Sequence, residues 1–333
     1  MIDARRLYFT NPGEVEVRPV TLDAPGEGEV VVETAESGIS PGSELLVYRG
    51  EFPEETAVDE TIEALAGTFE YPLPYGYAAV GTVTDCGAGV DESWRGRTVF
   101  AFEPHADRFV ASTDTLVPLR DGITPTEATL LPAVETATNL VLDGKPRDGE
   151  EVVVFGAGLV GVCSNNVLSQ FPLSELTVVE PVATRRRLAE QFGADRTIAP
   201  PAVGGDAAPT DIDMVYELSG RPATLDGAIE TVGYDGRVVV GSWYGKKRAP
   251  INVGGSFHRE RISLESSQVS TIDPDLRGRW DRERRFDVAF DHLQTLDTER
   301  LCGEAFAFDA AADAYQTLAD GTVERPHVTF TYR

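Results

Sequence analysis

The chain has 333 residues, 41% of them hydrophobic, and its 55 acidic against 29 basic residues give a formal net charge of −26. At roughly 100–200 residues per domain this length predicts about two domains, and no apolar run reaches the ~18 residues of a membrane-spanning helix. So large an acidic excess argues against nucleic acids and anionic membranes as partners.

The N-terminal segment has no apolar signal region, and the three cysteines stand far apart without a CxxC pair. We therefore expect a cytoplasmic protein without a disulfide framework or a structural zinc cluster. Only three lysines accompany the many acidic residues, which are spread along the whole chain. This composition resembles that of halophilic archaeal proteins, because in molar salt the Debye length falls to ~3 Å and self-repulsion is screened. High solubility alone is the alternative interpretation.

Residues 1 to about 118 contain short apolar segments separated by turn residues such as NPG, APGEG and PLPYG. The predicted strands are LYFT, EVEVRPV, EVVVETA, AAVGTVTDCG and TVFAF. Many short strands at this spacing predict an all-β, barrel-like unit. The segment GISPGSELLVYRG after the third strand is predicted to be a loop that exposes hydroxyls for chemistry.

From Thr124 the pattern changes, and a predicted helix runs over TPTEATLLPAVETATNLVLDG. The strands EVVVFGAG, LTVVEPV, DMVYELSG and GRVVVGSWYG then alternate with helical segments, which predicts a parallel sheet covered on both faces. A final piece from about Leu276 holds two helices and a strand, HVTFTY, that is expected to return to the first domain. The predicted fold class is α/β, with a doubly wound parallel-sheet domain over 119–275 and a β-rich domain over 1–118 plus 276–333.

The run VVVFGAGLVGV carries Gly156, Gly158 and Gly161 in GxGxxG spacing, between an apolar strand and a helix-compatible segment. The first glycine permits the tight turn, the second lets a pyrophosphate approach the backbone, and the third lets the helix pack closely on the strand. The helix N-terminus at Leu159 and Val160 then presents N–H donors to the phosphates. A dinucleotide site is predicted here; the alternative is a turn that binds nothing.

The next predicted strand ends in Glu180, about 20 residues beyond the third glycine. A carboxylate there accepts hydrogen bonds from the adenosine ribose hydroxyls and repels a 2′-phosphate, so NAD(H) is the favoured cofactor. Arg185, Arg186 and Arg187 follow closely. NADP(H) is the alternative cofactor, since one of these arginines could reach a 2′-phosphate. Otherwise the three arginines form a solvated helix face.

Six motifs, taken in order along the chain, resemble the medium-chain dehydrogenase/reductase superfamily: GISPGSE, PLPYGYAAVGTV, LLPAVETATNLVL, FGAGLVG, VVEPVATRRRLAEQFGA and DMVYELSGRPATLDGAIETVGYDGRVVVGSWYG. The segment FHRERISLESSQVSTIDPDLRGRWDRERRF further resembles the branch that includes bacteriochlorophyllide-type dehydrogenases. The resemblance implies a GroES-like catalytic domain split around a Rossmann domain, an active site in the cleft between them, and a homodimer.

The positions of the superfamily's catalytic zinc ligands hold other residues here. The cysteine position is Ser40, the histidine and acidic positions are Tyr77 and Ala78, and the third ligand position falls near Leu131 or Pro132. The four-cysteine lobe of zinc-dependent members is also missing. A catalytic zinc needs about three N, S or O ligands, so no metal is predicted.

Without a metal, hydroxyls and backbone N–H groups can stabilise the oxygen whose charge changes during hydride transfer. Ser40, Ser43 and Tyr77 are the predicted catalytic residues; the alternative is that they only hold the shape of the loops. The resemblance implies that Ser43 takes the place of the proton-relay hydroxyl, although this loop has one extra residue. Glu44 is either a brace of the loop or an acid, and His105 is expected to be a polar surface residue or to stand behind the site.

Further residues are candidates for contacts with the cofactor or the substrate. Glu135 and Thr136 are predicted to contact the nicotinamide or the substrate. Strand ends line the ligand crevice of open α/β sheets, and the candidates there are Ser219, Gly220, Gly241 and Ser242. The resemblance implies a pyrophosphate contact for Arg325, with surface charge as the alternative.

The sequence therefore predicts a zinc-independent, NAD(P)-dependent oxidoreductase that acts on a small-molecule substrate. Hydride would move between nicotinamide and an alcohol, carbonyl, conjugated enone or quinone, and oxidation of a hydroxyethyl-type group and reduction of an enone or quinone both stay open. The alternative from another class is a catalytically inactive, dinucleotide-binding sensor or scaffold.

Overall fold

The computed structural model describes residues 1–53, 56–200 and 209–332. The chain forms two compact units, one from Met1–Pro132 with Asp297–Arg333 and one from Ala133–Leu296. The first unit is therefore discontinuous along the chain.

The N-terminal part of the first unit is mostly β-structure. Its strands are β1 (Ile2–Asn11), β2 (Glu14–Leu22), β3 (Glu29–Ile39), β4 (Ala79–Cys86), β5 (Thr98–Ala101), β6 (Arg108–Ser112) and β7 (Val117–Pro118). Strands β1 and β2 form an antiparallel hairpin, and β3 pairs antiparallel with both β4 and β6. Val30 and Val32 point to one face of β3 and pack with Phe109 of β6, as the two-residue period of a strand requires.

The segment after β3, predicted to be a loop, is instead a helix, α1 (Pro41–Tyr48). Ser40 is its N-cap, and Pro41 occupies the first turn, where the missing N–H costs nothing. Glu44 reaches back so that its Oε1 accepts the Ser40 N–H at 2.6 Å, much as the acid of a capping box does. The loop prediction was wrong because a proline that starts a helix was taken for a turn residue.

The helix predicted from Thr124 is split into α2 (Pro125–Ala128) and α3 (Leu131–Gly144). A capping box stabilises the start of α2: Glu127 Oε2 accepts the Thr124 N–H at 2.8 Å, and Thr124 Oγ1 accepts the Glu127 N–H at 3.3 Å. The split lies close to the division between the two units.

The second unit alternates strand and helix. After α3 come β8 (Glu151–Phe155), α4 (Leu159–Leu168), β9 (Glu175–Val179), α5 (Ala183–Gln191), β10 (Arg196–Ile198), β11 (Ile212–Glu217), α6 (Thr224–Thr231), β12 (Val232–Val240), α7 (Ser256–Arg259), β13 (Ser263–Ser266) and α8 (Arg282–Thr295). The described strands form one parallel sheet in the order β10-β9-β8-β11-β12-β13. This is the strand order of a Rossmann sheet. The chain builds the sheet outward in one direction from β8 to β10 and then in the other direction from β11 to β13, so the order changes between β8 and β11. The predicted fold class is confirmed.

The chain then returns to the first unit through α9 (Thr298–Leu301), β14 (Cys302–Ala307), α10 (Ala311–Ala319) and β15 (His327–Thr331). Strand β15 pairs antiparallel with β3, with Val328 opposite Ile39. Strand β14 lies parallel to β15 on its other side. The closing strand therefore completes the sheet that the first 120 or so residues begin.

Both boundaries between the units come later in the chain than the predicted 118/119 and 275/276. Helix α2 belongs to the first unit because Thr126 donates to Glu36 on β3 at 2.9 Å. Helix α8 belongs to the second unit because Arg285 donates to Glu135 on α3 at 2.8 Å. A change in sequence pattern marks where secondary structure changes, whereas these side-chain contacts decide the unit to which each helix belongs.

Candidate active site

Hydroxyl groups of the first unit lie together where α1 begins and where the segment before β4 passes it. Ser43 Oγ on α1 and Tyr77 Oη share a 2.6 Å hydrogen bond. The Ser40 side chain is also within hydrogen-bonding reach of Tyr77, and that of Ser43 within reach of Tyr75. The structure thus brings the three predicted catalytic residues together and adds Tyr75, which the sequence analysis missed.

Both tyrosines are held in the neutral form that donates a hydrogen bond. Burial raises the pKa of Tyr77, hydrogen bonds to serine hydroxyls lower it, and the nearby Glu44 and Asp59 raise it again, with a net increase. Burial likewise raises the pKa of Tyr75 well above its usual range. Neutral hydroxyls fixed in this way can donate to an oxygen on which negative charge develops.

A buried carboxylate adjoins this hydroxyl cluster. Glu44 is completely buried, and its Oε1 accepts the Ser40 N–H at 2.6 Å. Its Oε2 lies 3.0 Å from His105 Nε2 and accepts the hydroxyl of Tyr315 on α10. Glu44 is therefore a brace with three polar partners, which agrees with the first of the two roles expected for it.

His105 is completely buried as well. Of the two positions expected for it, the structure therefore agrees with the one behind the site and not with the surface. Its Nδ1 lies 2.6 Å from Ser37 Oγ, which is 2.7 Å from Tyr332 Oη. Its ring packs against Gly76, where an added Cβ would lie 2.6 Å from two ring atoms. This burial could not be inferred from local sequence, because the partner Glu44 is 61 positions away.

In the second unit, the turn between β8 and α4 has the geometry that a pyrophosphate needs. Gly156 adopts a φ of +104°, and an added Cβ there would lie 2.7 Å from a neighbouring carbonyl oxygen. Gly158 is the N-cap of α4, and an added Cβ there would meet no atom within 4 Å. Gly161 packs against the Gly156 carbonyl. The first-turn N–H groups, at Leu159 and Val160, have no partner within the helix and can donate to phosphate oxygens.

Glu180 follows β9 directly and is buried. Its Oε2 accepts the Ala157 N–H at 2.9 Å, and its Oε1 accepts the Val182 N–H, also at 2.9 Å. The carboxylate is thus fixed against the glycine-rich turn. Because each carboxylate oxygen has two lone pairs, both oxygens can still accept from ribose hydroxyls.

The carboxyl ends of β11 and β12 carry a second buried carboxylate, which the sequence analysis missed. Glu217 ends β11 and accepts the Ser219 N–H at 2.9 Å together with the hydroxyls of Ser219 and Tyr244. Ser242 Oγ accepts a backbone N–H of the adjoining turn at 2.9 Å, and Gly241 leaves no room for a Cβ against Leu218. An acid that ends an apolar strand at the ligand crevice was the signal that could have revealed Glu217.

Known proteins resemble this chain in sequence and in fold. The zinc-binding dehydrogenase family matches residues 160–290. D-guloside 3-dehydrogenase of Escherichia coli strain K12 is 24% identical over 259 residues, which cover 74% of this chain and 73% of that protein. The 2-desacetyl-2-hydroxyethyl bacteriochlorophyllide A dehydrogenase of Cereibacter sphaeroides is 27% identical over 255 residues, covering 72% and 73%. The solved structure of an Escherichia coli CFT073 protein, described as a short chain alcohol dehydrogenase complexed with NADH, shares the fold with a TM-score of 0.80 over 99% of both chains at 18% identity.

In sequence and in fold the chain is similar to dehydrogenases of the medium-chain dehydrogenase/reductase superfamily. It is therefore an alcohol dehydrogenase-like oxidoreductase that uses a nicotinamide cofactor. The glycine-rich turn, the N-terminus of α4 and Glu180 are the parts of this dehydrogenase that would hold the cofactor.

No helix in the described part of the chain is long and apolar enough to cross a membrane.

The zinc positions of this dehydrogenase do not fit a zinc ion. Ser40 and Tyr77 supply hydroxyls, and Ala78 supplies only a methyl group. His105 and Glu44 are bonded to each other and to further donors. Among the described residues, no group of three His, Cys, Asp or Glu side chains could hold a metal ion. Three such ligands are what a catalytic zinc needs.

The arginines after Glu180 have different roles in this dehydrogenase. Arg186 Nη1 donates to the carbonyls of Glu180 at 2.7 Å and Pro181 at 2.8 Å. It therefore braces the turn that carries the carboxylate. Arg185 is half-buried and Arg187 is exposed, so Arg185 stays the candidate for reaching a 2′-phosphate.

Two other residues that were predicted to contact the cofactor or the substrate have protein partners in the structure. Glu135 Oε1 accepts from Arg285 Nε at 3.1 Å and from Nη2 at 2.8 Å, so this carboxylate is committed to a buried ion pair rather than exposed to a ligand. Thr136 beside it is half-buried. Arg325 is exposed, and its Nη1 donates to two backbone carbonyls at the end of α9, at 2.6 and 2.8 Å. This geometry favours the surface alternative for Arg325.

Proposed function

We propose that this dehydrogenase is zinc-independent and transfers hydride between NAD(H) and a small alcohol, carbonyl, conjugated enone or quinone. The observation that carries the proposal is the Ser43–Tyr77 hydrogen bond of 2.6 Å, with Ser40 and Tyr77 at positions where zinc-dependent relatives bind the metal. The hydroxyls take over the task of stabilising the substrate oxygen.

The bound nicotinamide supplies or accepts the hydride. In the reductive direction, Tyr77 Oη donates a hydrogen bond and then its proton to the substrate oxygen, while Ser43 Oγ passes its proton to Tyr77 and takes one from water. In the oxidative direction the relay runs in reverse: Ser43 Oγ gives its proton to water, Tyr77 Oη gives its proton to Ser43, and Tyr77 takes up the alcohol proton. The raised pKa of Tyr77, due first to burial, keeps this proton in place until an oxygen with developing charge accepts it.

NAD(H) is the proposed cofactor because of Glu180. Its fixed carboxylate accepts from the ribose hydroxyls and repels a 2′-phosphate, while Arg186 is used to brace the turn. NADP(H) is the alternative, and it would require Arg185 to reach the phosphate.

Secondary alcohols are the first substrate class to test. The names of the two relatives describe dehydrogenases of a guloside and of a hydroxyethyl-bearing pigment. Conjugated enones and quinones form the second class, because their reduction needs only hydride and a proton donor such as Tyr77.

We also propose a homodimer in a cytoplasm rich in salt, without nucleic acid or membrane partners. The net charge of −26 supports the salt-rich setting. Strand β13 supports the dimer, since it is the last strand of the described sheet and all four of its residues are exposed. An edge strand of this kind can pair with the same strand of a second copy.

The test is a panel of alcohols, ketones, enones and quinones assayed with NAD(H) for the wild type, Tyr77→Phe and Ser43→Ala. Removal of one preorganised donor should lower kcat by ~10²–10³, while the Kd for NADH stays unchanged. Tyr234→Phe is the matched control, because Tyr234 is 66% exposed on the second unit. About one zinc per chain in desalted protein, or wild-type kcat in both variants, would contradict the proposal. NADH binding without turnover of any substrate would favour the inactive sensor.

A further inference from the structure

The hydroxyls of the proposed site sit on two segments that are far apart in sequence. Ser40 and Ser43 belong to the start of α1, and Tyr77 belongs to the segment that leads into β4. The Ser43–Tyr77 hydrogen bond joins the side chains. Holding two hydroxyls of distant segments in one geometry costs conformational entropy, and fixed backbones reduce that cost.

Glu44 holds the first of the two segments. Its Oε1 accepts the Ser40 N–H at 2.6 Å, which ties the carboxylate to the N-cap of the helix that carries Ser43. Tyr315, fully buried on α10, donates to the other carboxylate oxygen. The start of α1 is therefore anchored to the core of the first unit.

His105 holds the second segment. Its backbone N–H donates to the carbonyl of Tyr75 at 3.4 Å, and its ring lies against the Cα of Gly76. Gly76 has a φ of +108°, a conformation that favours glycine. The ring thus fills the space beside the two residues that precede Tyr77.

The two holding residues are bonded to each other, with 3.0 Å between His105 Nε2 and Glu44 Oε2. The Ser40 N–H and the Tyr315 hydroxyl donate to the carboxylate, and His105 Nε2 is its third polar partner. Burying polar groups such as these costs desolvation free energy that their hydrogen bonds must recover. A role other than stability therefore accounts better for a pair placed against the hydroxyl cluster.

We propose that Glu44 and His105 are positioning residues that preform the Ser43–Tyr77 hydrogen bond. The pair joins the start of α1 to the Tyr75–Gly76 backbone, so Ser43 and Tyr77 keep one geometry before a substrate arrives. The catalytic consequence rests on the proposed function, whereas the link between Glu44 and Tyr77 does not. Because the Glu44 carboxylate also lies close to Tyr77, it favours the protonated hydroxyl that the site needs.

The experiment measures the ionisation of Tyr77 directly by NMR of protein labelled with ¹³Cζ-tyrosine. The Tyr77 resonance is assigned by its loss in Tyr77→Phe, and its titration is followed through the alkaline range in wild type and Glu44→Gln. The groups whose charge acts on Tyr77 are Glu44 and Asp59. Glu44→Gln removes one of them and weakens the link to His105, so Tyr77 should titrate about one pH unit lower than in wild type.

The matched control is Glu150→Gln. Glu150 is a buried carboxylate of the second unit that pairs with Arg237 at 2.8 Å, so Glu150→Gln makes the same change to a buried, hydrogen-bonded carboxylate elsewhere in the chain. It should leave the Tyr77 titration unchanged. Equal Tyr77 titrations in wild type and folded Glu44→Gln would overturn the proposal.

Turnover provides the second readout. Glu44→Gln should lower kcat by roughly 10–100-fold with the KM for NADH unchanged, because small misplacements of catalytic groups have effects of this size. If Glu44→Gln does not fold, His105→Gln gives the same two readouts, and wild-type values for both would overturn the proposal. If the wild type turns over no substrate but Glu44→Gln still lowers the Tyr77 titration, the proposed function is refuted and the link between Glu44 and Tyr77 stands.

Discussion

Replacing Arg285 by methionine should destabilise the second unit by about 3–5 kcal/mol, because Glu135 would stay buried without its counter-charge. Arg285 is 1% exposed and donates twice to Glu135 Oε1, at 3.1 and 2.8 Å. It also donates to Asn139 Oδ1 at 2.6 Å and to the carbonyls of Val269 and Thr271. Methionine occupies much of the same volume, so the loss concerns charge and hydrogen bonds more than packing.

The destabilisation should depend on pH in a fixed direction. Burial raises the pKa of Glu135, and Arg285 opposes that rise. Without Arg285 the folded-state pKa rises further above the unfolded value, so the folded protein binds the proton more tightly than the unfolded chain. Stability then falls as the pH rises between those two values, and the deficit is larger at about pH 8 than at about pH 5.

Urea unfolding followed by circular dichroism, at both pH values and at low and molar KCl, measures the effect. A buried pair is poorly screened, so the difference between variant and wild type should persist in salt. The control is the double variant Glu135→Leu with Arg285→Met, which removes both charges and should recover much of the stability. A loss below ~1 kcal/mol in the single variant, or an equally unstable double variant, would refute the reasoning.

Three further predictions concern the cofactor, the salt dependence and a buried histidine. Glu180→Ala should weaken NADH binding and reduce the ratio by which the protein prefers NADH to NADPH, and each ~1.4 kcal/mol of binding free energy lost raises the Kd tenfold. A wild-type preference for NADPH in fluorescence titrations would contradict the role assigned to Glu180. The thermal unfolding midpoint should rise steeply from low to molar KCl, since screening relieves the repulsion of a −26 chain, and a flat midpoint would argue against a halophilic protein. Burial lowers the pKa of His327 to about 4, so stability should fall as the pH drops from the unfolded value of about 6.5 toward 4. His327→Gln should flatten that dependence in urea unfolding, and equal slopes would show that another group titrates.

The dinucleotide site was predictable because neighbouring residues in sequence build it. Gly156, Gly158 and Gly161 occupy one turn, and Glu180 ends the next strand, so spacing alone places them at one edge of a parallel sheet. The strand order follows from the same alternation of strand and helix. A local sequence pattern is sufficient to predict a site whose residues lie close together in the chain.

The polar networks were not predictable because their members are far apart in the chain. Glu135 and Arg285 are 150 positions apart, and Glu44 and His105 are 61 positions apart. Only the tertiary fold shows that these side chains are buried and paired with each other. This is why Glu135 was predicted to contact the nicotinamide or the substrate, and why the position of His105, at the surface or behind the site, stayed open.

The pairing of β15 with β3 has a consequence for how the protein is made. Strand β3 is synthesised early, and its partner β15 emerges only after the whole second unit. At about 5–20 residues per second, this delay lasts roughly 15–60 s. During that interval the second unit can fold, while residues 36–39 of β3, which pair with β15 in the finished fold, keep unpaired N–H and C=O groups that a neighbouring nascent chain could bind. The earliest strands on the ribosome therefore belong to the part of the fold that is completed last.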